Sequence, residues 1–127
     1  MDSVMHFEIP AANVNRARKF YKGVFGWGMV SYPKMDYTIL RTTPVDKKTR
    51  MPKERGAING GMMKRSREVK SPVITVVVSS IDASAKKIAG KGGKIIVPKT
   101  PIPGMGFSAY FKDTEGNVMG LFQPTKM

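Results

Sequence analysis

The chain reads as an α+β protein that runs through one plan twice, strand, helix and three strands, and three observations carry that reading. Val4-Met5-His6-Phe7-Glu8-Ile9 and Val73-Ile74-Thr75-Val76-Val77-Val78 each open a half as a strand pattern. Each is followed by a polar capping residue and a stretch of helical periodicity, and each helix then ends in glycines, Phe25-Gly26-Trp27 in the first half and Gly92-Gly93 in the second. Laid over each other without a gap, the halves put His6 on Val73 and Glu8 on Thr75. The two copies share a backbone plan and differ in their polar groups, and the single histidine of the chain has no counterpart in the second half.

The elements follow in order. In the first strand Met5, Phe7 and Ile9 alternate with His6 and Glu8, which predicts one apolar and one polar face with His6 and Glu8 on the same side. Asn13 is a fitting N-cap for a helix whose apolar positions are Val14, Ala17, Phe20, Tyr21 and Val24. Tyr37 to Leu40 reads as a strand, and Ala57 to Met63 as another, interrupted by Gly60-Gly61. In the second half Val73 to Ser79 is a β-branched run of the kind buried on both faces. Ser80 or Asp82 caps a short helix with Ile81, Ala85 and Ile88 on its apolar side. Lys94 to Val97 is a strand, Pro98 to Gly106 a Pro/Gly-rich loop and Phe107 to Lys112 a strand. The turn Asp113-Thr114-Glu115-Gly116-Asn117 leads into a last strand, Val118 to Gln123.

Length and composition bound the function. At 127 residues, 41% of them hydrophobic and with no long apolar run, the chain is one soluble domain, with a first module over about 1–64 and a second over about 72–124. No segment near Met1 has the pattern of a secretory signal, and with no cysteine there is neither a disulfide framework nor a thiolate metal site. A cytoplasmic location is expected.

The net charge of +13 is the outlier. Lys47 to Lys70 holds nine basic and two acidic residues, a net of +7, expected as an exposed loop over 46–55 and a connector over 64–70. Such a field attracts anions of any kind, nucleic acid or small metabolite. No aromatic residues are interleaved with these charges as single-strand binders require, so a solvated surface that steers small anions is the simpler reading.

His6-Phe7-Glu8-Ile9-Pro10, the Ala17…Phe20-Tyr21 helix, Phe25-Gly26-Trp27, Gly92-Gly93 and the run Asp113 to Gln123 resemble the glyoxalase/bleomycin-resistance/extradiol-dioxygenase group, the vicinal oxygen chelate superfamily. The likeness spans about residues 4 to 123 and is greatest to the branch of proteins related to lactoylglutathione lyase. It implies tandem βαβββ modules forming an incomplete curved barrel around a cleft, and a homodimer. It also implies, in metal-dependent members, ligands on the first and last strand of each module. Carried over residue by residue, those positions are His6, Val73, Gly60 and Gly120. One side chain of four can ligate, so no metal and no other cofactor is expected. Gln123, three residues past Gly120, is expected to face away from the cleft.

What remains is a candidate catalytic pair, His6 and Glu8, whose Cβ atoms at i and i+2 stand roughly 7 Å apart on a strand, close enough to meet directly or through water. Candidate ligand-binding residues are Trp27, Tyr37, Thr75, Tyr110 and Phe122. Gly104-Met105-Gly106 is too short for a phosphate loop, and there is no glycine-flanked serine elbow. The favoured function is a glyoxalase-like protein binding a small anionic molecule in the cleft between the modules. The alternatives are a divergent lyase or dioxygenase with a rebuilt metal site, and a nucleic-acid-associated protein using residues 47–70.

Overall fold

The computed structural model describes residues 1–125, and its elements follow the periodicity of the sequence closely. β1 (Ser3–Ala11) is followed by α1 (Val14–Phe25), β2 (Gly28–Tyr32), β3 (Tyr37–Arg41) and β4 (Gly60–Lys64). Then come β5 (Val73–Val77), α2 (Ile81–Gly90), β6 (Lys94–Ile102), β7 (Gly106–Lys112) and β8 (Val118–Pro124). The described residues divide into two compact units, His6–Pro72 and the remainder, which is Met1–Met5 with Val73 onward. Each unit has the order strand, helix, three strands.

In the first unit the strands lie in the order β2-β3-β4-β1, with β1 and β4 parallel and the other neighbours antiparallel. Helix α1 starts where Asn13, in extended conformation, accepts the Arg16 backbone N–H on Oδ1 at 3.0 Å. It stops at Gly26, whose φ of 72° is the left-handed geometry that favours glycine, and whose N–H returns to the Lys22 carbonyl. Ala11, Leu40 and Met62 are buried beneath it, with Phe7, Ile9, Val14, Ala17, Tyr21, Trp27 and Met29 packed around them. Burying a side chain such as Leu40 contributes about 1.5–3 kcal/mol.

In the second unit the order is β5-β8-β7-β6, with β5 and β8 parallel. Val78, Ile81, Ala109 and Leu121 form its core, joined by Val76, Ile88, Ile95, Phe107 and Phe111. Ser80 is the cap of α2, accepting the Ala83 N–H at 3.1 Å. The Asp113 turn closes on itself: Asp113 Oδ1 accepts the Glu115 and Asn117 backbone N–H groups and Oδ2 the Asn117 side-chain amide. The Asn117 bonds, foremost among these, hold the Asp113 carboxyl below its ordinary range.

The structure corrects three expectations and adds one strand. The strand after Lys94 does not end at Val97 but continues through Pro98 and Pro101 to Ile102, with register irregularities against β7. Prolines fit there because β6 pairs with β7 alone within its unit and can do without donors on the other side. β4 begins at Gly60 rather than being interrupted by the glycines. β5 is not buried on both faces, since Ile74 is exposed while Val73 and Thr75 are buried. Finally β2, for which the sequence supplied no boundaries, occupies Gly28–Tyr32.

Candidate functional site

Alternation sorts the first unit into two faces. On β1, Phe7 and Ile9 pack beneath α1, which turns His6 and Glu8 to the opposite side. On β3, Leu40 joins the core and Thr38 is buried, so Tyr37, Ile39 and Arg41 lie on the side of His6 and Glu8. On β4, Met62 is the core residue, leaving Gly61 and Met63 on the polar side. Glu8 and Ile39 both register with Gly61, one from each neighbouring strand.

Tyr37 connects this face. Its hydroxyl donates to Glu8 Oε2 at 2.7 Å and lies 2.9 Å from His6 Nε2. A phenol has one proton, and here it goes to the carboxylate; the oxygen therefore accepts from His6 Nε2–H, which fixes the imidazole tautomer and leaves the lone pair on Nδ1. Burial of His6 lowers its pKa, with the charge of Glu8 working in the opposite direction, so the ring is neutral near pH 7. The pair expected to meet directly or through water meets through a tyrosine. Should Nδ1 take a proton, the imidazolium would be stabilised by Glu8 at one remove, which is the arrangement of an oriented general base.

Gly61 is part of the same construction, and sequence reasoning missed it. A Cβ at Gly61 would run into the Tyr37 hydroxyl and ring. Gly60, by contrast, faces the other way, where a Cβ would meet the Phe7 ring at 2.7 Å. The position equivalent to Gly120 is thus Gly61 and not Gly60: Gly120 registers with Thr75 as Gly61 does with Glu8. The expectation of Gly60 as the counterpart of Gly120 is therefore off by one residue, and two adjacent glycines give no means of seeing it.

Trp27 stands apart from this face. It stacks on Tyr21 at 5.1 Å and 8°, and packs against Phe25 and Phe7 on the α1 side of the sheet. Thr75, Tyr110 and Phe122 belong to the second unit. Thr75 and Tyr110 both register with Gly120, and Phe122 with Val77, on the face away from α2. Gln123 faces α2, and its Oε1 accepts the Ile81 N–H at 2.8 Å. Among the described residues there is no group of three or more His, Cys, Asp or Glu side chains placed to hold a metal ion.

Arg41 is a second residue absent from the sequence-based candidates. Phe7 and Leu40 both register with Gly60, so His6 and Arg41, the next residues along in the same direction, lie level on the polar face, two strand spacings or roughly 10 Å apart. Val30 and Tyr32 of β2 share that face and are 39% and 38% exposed. An open cavity of about 460 Å³ is lined by Asn13, Asn15, Arg18, Thr38 and Lys64, among others, and reaches Tyr37. The basic stretch is exposed throughout its charged side chains, Lys47, Lys48, Arg50, Lys53 and Arg55 on a loop and Arg65, Arg67 and Lys70 on the connector. Asp46 organises that loop by accepting the Lys48 and Thr49 backbone N–H groups. No helix among the described residues is long and apolar enough to cross a membrane.

Residues 3–43 match the family model described as bleomycin resistance protein-like N-terminal. No curated protein matches the sequence. Among solved structures the chain is similar to a hypothetical protein of Bacillus halodurans C-125, at TM-score 0.64 and 16% identity over 99% of this chain and 96% of that one. It is similar also to methylmalonyl-CoA epimerase of Mycobacterium tuberculosis, at TM-score 0.64 and 15% identity over 96% and 87%. A Streptomyces coelicolor methylmalonyl-CoA epimerase variant in complex with 2-nitronate-propionyl-CoA matches at TM-score 0.61 and 14% identity over 96% of each chain. At these identities the structures speak to fold, and the fold is that of the glyoxalase/bleomycin-resistance proteins. The match over residues 3–43 agrees with that fold.

Proposed function

We propose that the chain binds a small anionic molecule on the polar face of its first unit, without a metal ion, and that the His6–Tyr37–Glu8 network orients the bound group. The observation that supports this most is the network itself: a buried carboxylate, a phenol and a neutral imidazole joined at 2.7 and 2.9 Å on a face that also carries Arg41. Polar groups brought together in this way away from the core suit recognition, because packing alone would not select them. Arg41 supplies the charge, and its planar fork suits a carboxylate or phosphate. The relay, about 10 Å across the sheet by strand spacing, meets a protic or carbonyl part of the same molecule. Val30 and Tyr32 offer apolar contact between solvent and sheet.

A ligand held this way has its negative end away from Glu8, whose own charge is taken up by the Tyr37 hydroxyl. The exposed Lys47 to Arg55 loop adds a long-range field that raises encounter rates with anions. The Streptomyces coelicolor epimerase variant of this fold holds 2-nitronate-propionyl-CoA, which supports an acidic small molecule as the ligand class. Fold alone does not fix function, and the reading rests on the residues of this chain.

The test is a thermal-shift and calorimetric screen of small carboxylates, phosphates and acyl thioesters against the native chain, Arg41→Gln and Tyr37→Phe. Binding that falls at least about tenfold, or 1.4 kcal/mol, in both variants supports the reading. Binding that ignores both substitutions places the ligand elsewhere.

A further inference from the structure

Gly61 lies inside β4, is buried, and has no left-handed φ that would call for glycine. Its backbone would suit any residue of a strand. What forbids a side chain is Tyr37, whose hydroxyl and ring fill the space in which a Cβ would sit. The hydroxyl is held there by Glu8 Oε2 and His6 Nε2.

The resemblance implies that a divalent cation would be held by His6 and a residue of the last strand, and Glu8 projects beside them on the same face. His6 and Glu8 project from β1, and position 61 registers opposite Glu8 on the same face. The superfamily resemblance implies a ligand on the last strand of the module, and the register puts that position at Gly61. With glycine there, only one nitrogen and one carboxylate remain, both engaged by a single phenol, and this donor set does not fit a zinc or nickel ion.

We propose that Gly61 and Tyr37 act as socket and plug, so that the phenol, seated where a side chain at 61 would begin, takes up the His6 and Glu8 atoms that a divalent cation would need. Tyr37 is then the positioning residue of the face: it excludes metal and fixes the imidazole tautomer in one contact. The consequence is a latent site. Withdrawing the phenol and restoring a donor at 61 converts the relay into a three-donor cation centre. The inference rests on the His6–Tyr37–Glu8 geometry used above but not on any ligand being anionic.

The experiment titrates zinc chloride and nickel chloride into four proteins by calorimetry: native, Tyr37→Phe, Tyr37→Ala/Gly61→Glu, and the last with His6→Ala. We expect the native chain to show no His6-dependent binding. The double variant should bind one equivalent more tightly by a factor on the order of 10 to 100, the range over which groups beside metal ligands alter affinity, and should lose it with His6→Ala. A native chain that binds one ion as tightly as the double variant overturns the proposal. So does a folded double variant with no gain.

Because the double variant carries two changes in one sheet, Gly61→Ala supplies an independent reading by NMR of the His6 ring. The added methyl must displace the phenol and move the ring signals as Tyr37→Phe does. Unchanged signals would show that no socket exists. Anion binding is measured in parallel on the native chain; its loss would count against the proposed ligand class and leave the metal result standing.

Discussion

The two halves place a glycine at the same point of their last strand for different reasons. In the first, Gly61 registers with Glu8 and makes room for the Tyr37 phenol. In the second, Gly120 registers with Thr75, and a Cβ there would meet the Thr75 hydroxyl at 2.7 Å. His6 and Glu8 have become Val73 and Thr75, and the residue of the neighbouring strand opposite Gly120 is Tyr110 where Ile39 stands opposite Gly61. A duplicated strand plan can be kept by backbone pairing alone while its polar face is rewritten in one copy. In the first half three polar side chains, His6, Tyr37 and Glu8, converge, and the proposed ligand face is placed there on that ground.

Substitution at the two glycines separates these roles most strongly. Gly61→Ala is expected to cost about 2–3 kcal/mol, since it expels a hydroxyl bonded to a buried carboxylate, a bond worth roughly 1.5–3 kcal/mol. Gly120→Ala, opposed by one threonine side chain that can turn, should cost about 1 kcal/mol or less, because Gly→Ala also restricts the unfolded chain. Chemical denaturation of both variants decides it, and equal losses would remove the distinction between the halves.

A smaller contrast concerns the helices. Gln123 Oε1 accepts the Ile81 N–H at the start of α2, while α1 has only the Asn13 cap. Gln123→Ala should therefore destabilise by about 1 kcal/mol, comparable to losing a cap. Its counterpart Lys64→Ala should stay within about 0.5 kcal/mol, as exposed substitutions do. Thermal unfolding of the pair measures the difference.

The halves also differ in their response to acid. The folded chain holds His6 below its ordinary pKa of 6.5 by burial. As pH falls through that value the unfolded chain takes up a proton that the folded one refuses, so the stability contributed here is full above about 6.5 and declines toward the lowered folded pKa. His6→Asn should flatten this part of the pH–stability curve, whereas a change at Val73 should leave its shape intact. A native curve that rises with acid through the same window would reverse the sign of the argument.

The smallest stability effect is expected in the basic loop. Changing Lys47, Lys48, Arg50, Lys53 and Arg55 to Ser should alter stability by only about 0.5 kcal/mol, because these groups are exposed and none forms an ion pair among the described residues. It should slow association with small anions at low salt and leave dissociation unchanged. Submicromolar duplex binding that is lost in this variant, with a log-log salt slope of roughly −0.9 per phosphate, would instead favour a nucleic-acid role.

Much of the fold was legible because periodicity reports burial directly: Phe7 and Ile9 against His6 and Glu8, Val14 and Ala17 against the helix exterior, Ser80 as a cap. The second half of β6, beyond Val97, escaped because proline is read as a strand breaker, and an edge position lifts that penalty. The site was legible only in part. His6 and Glu8 were visible as one face, and Tyr37 as an aromatic candidate, but that the phenol lies between them depends on strand register across β1, β4 and β3. Register is set by pairing between distant segments and shifts a face with each residue of slip, which is how Gly60 was taken for Gly61. Arg41 carried a signal that alternation from Tyr37 would have revealed. Trp27, aromatic and beside a helix end, had the sequence appearance of a pocket residue and packs with Tyr21 and Phe7 instead.

The most direct test of the central claim is nitrogen-15 NMR of the His6 ring, the only imidazole in the chain, in the native protein and in Tyr37→Phe at pH 7. The account predicts a neutral ring protonated at Nε2 in the native protein, with a clear shift of the Nε2 signal when the hydroxyl is removed. A charged ring, or signals that do not respond to loss of the Tyr37 hydroxyl, would contradict it.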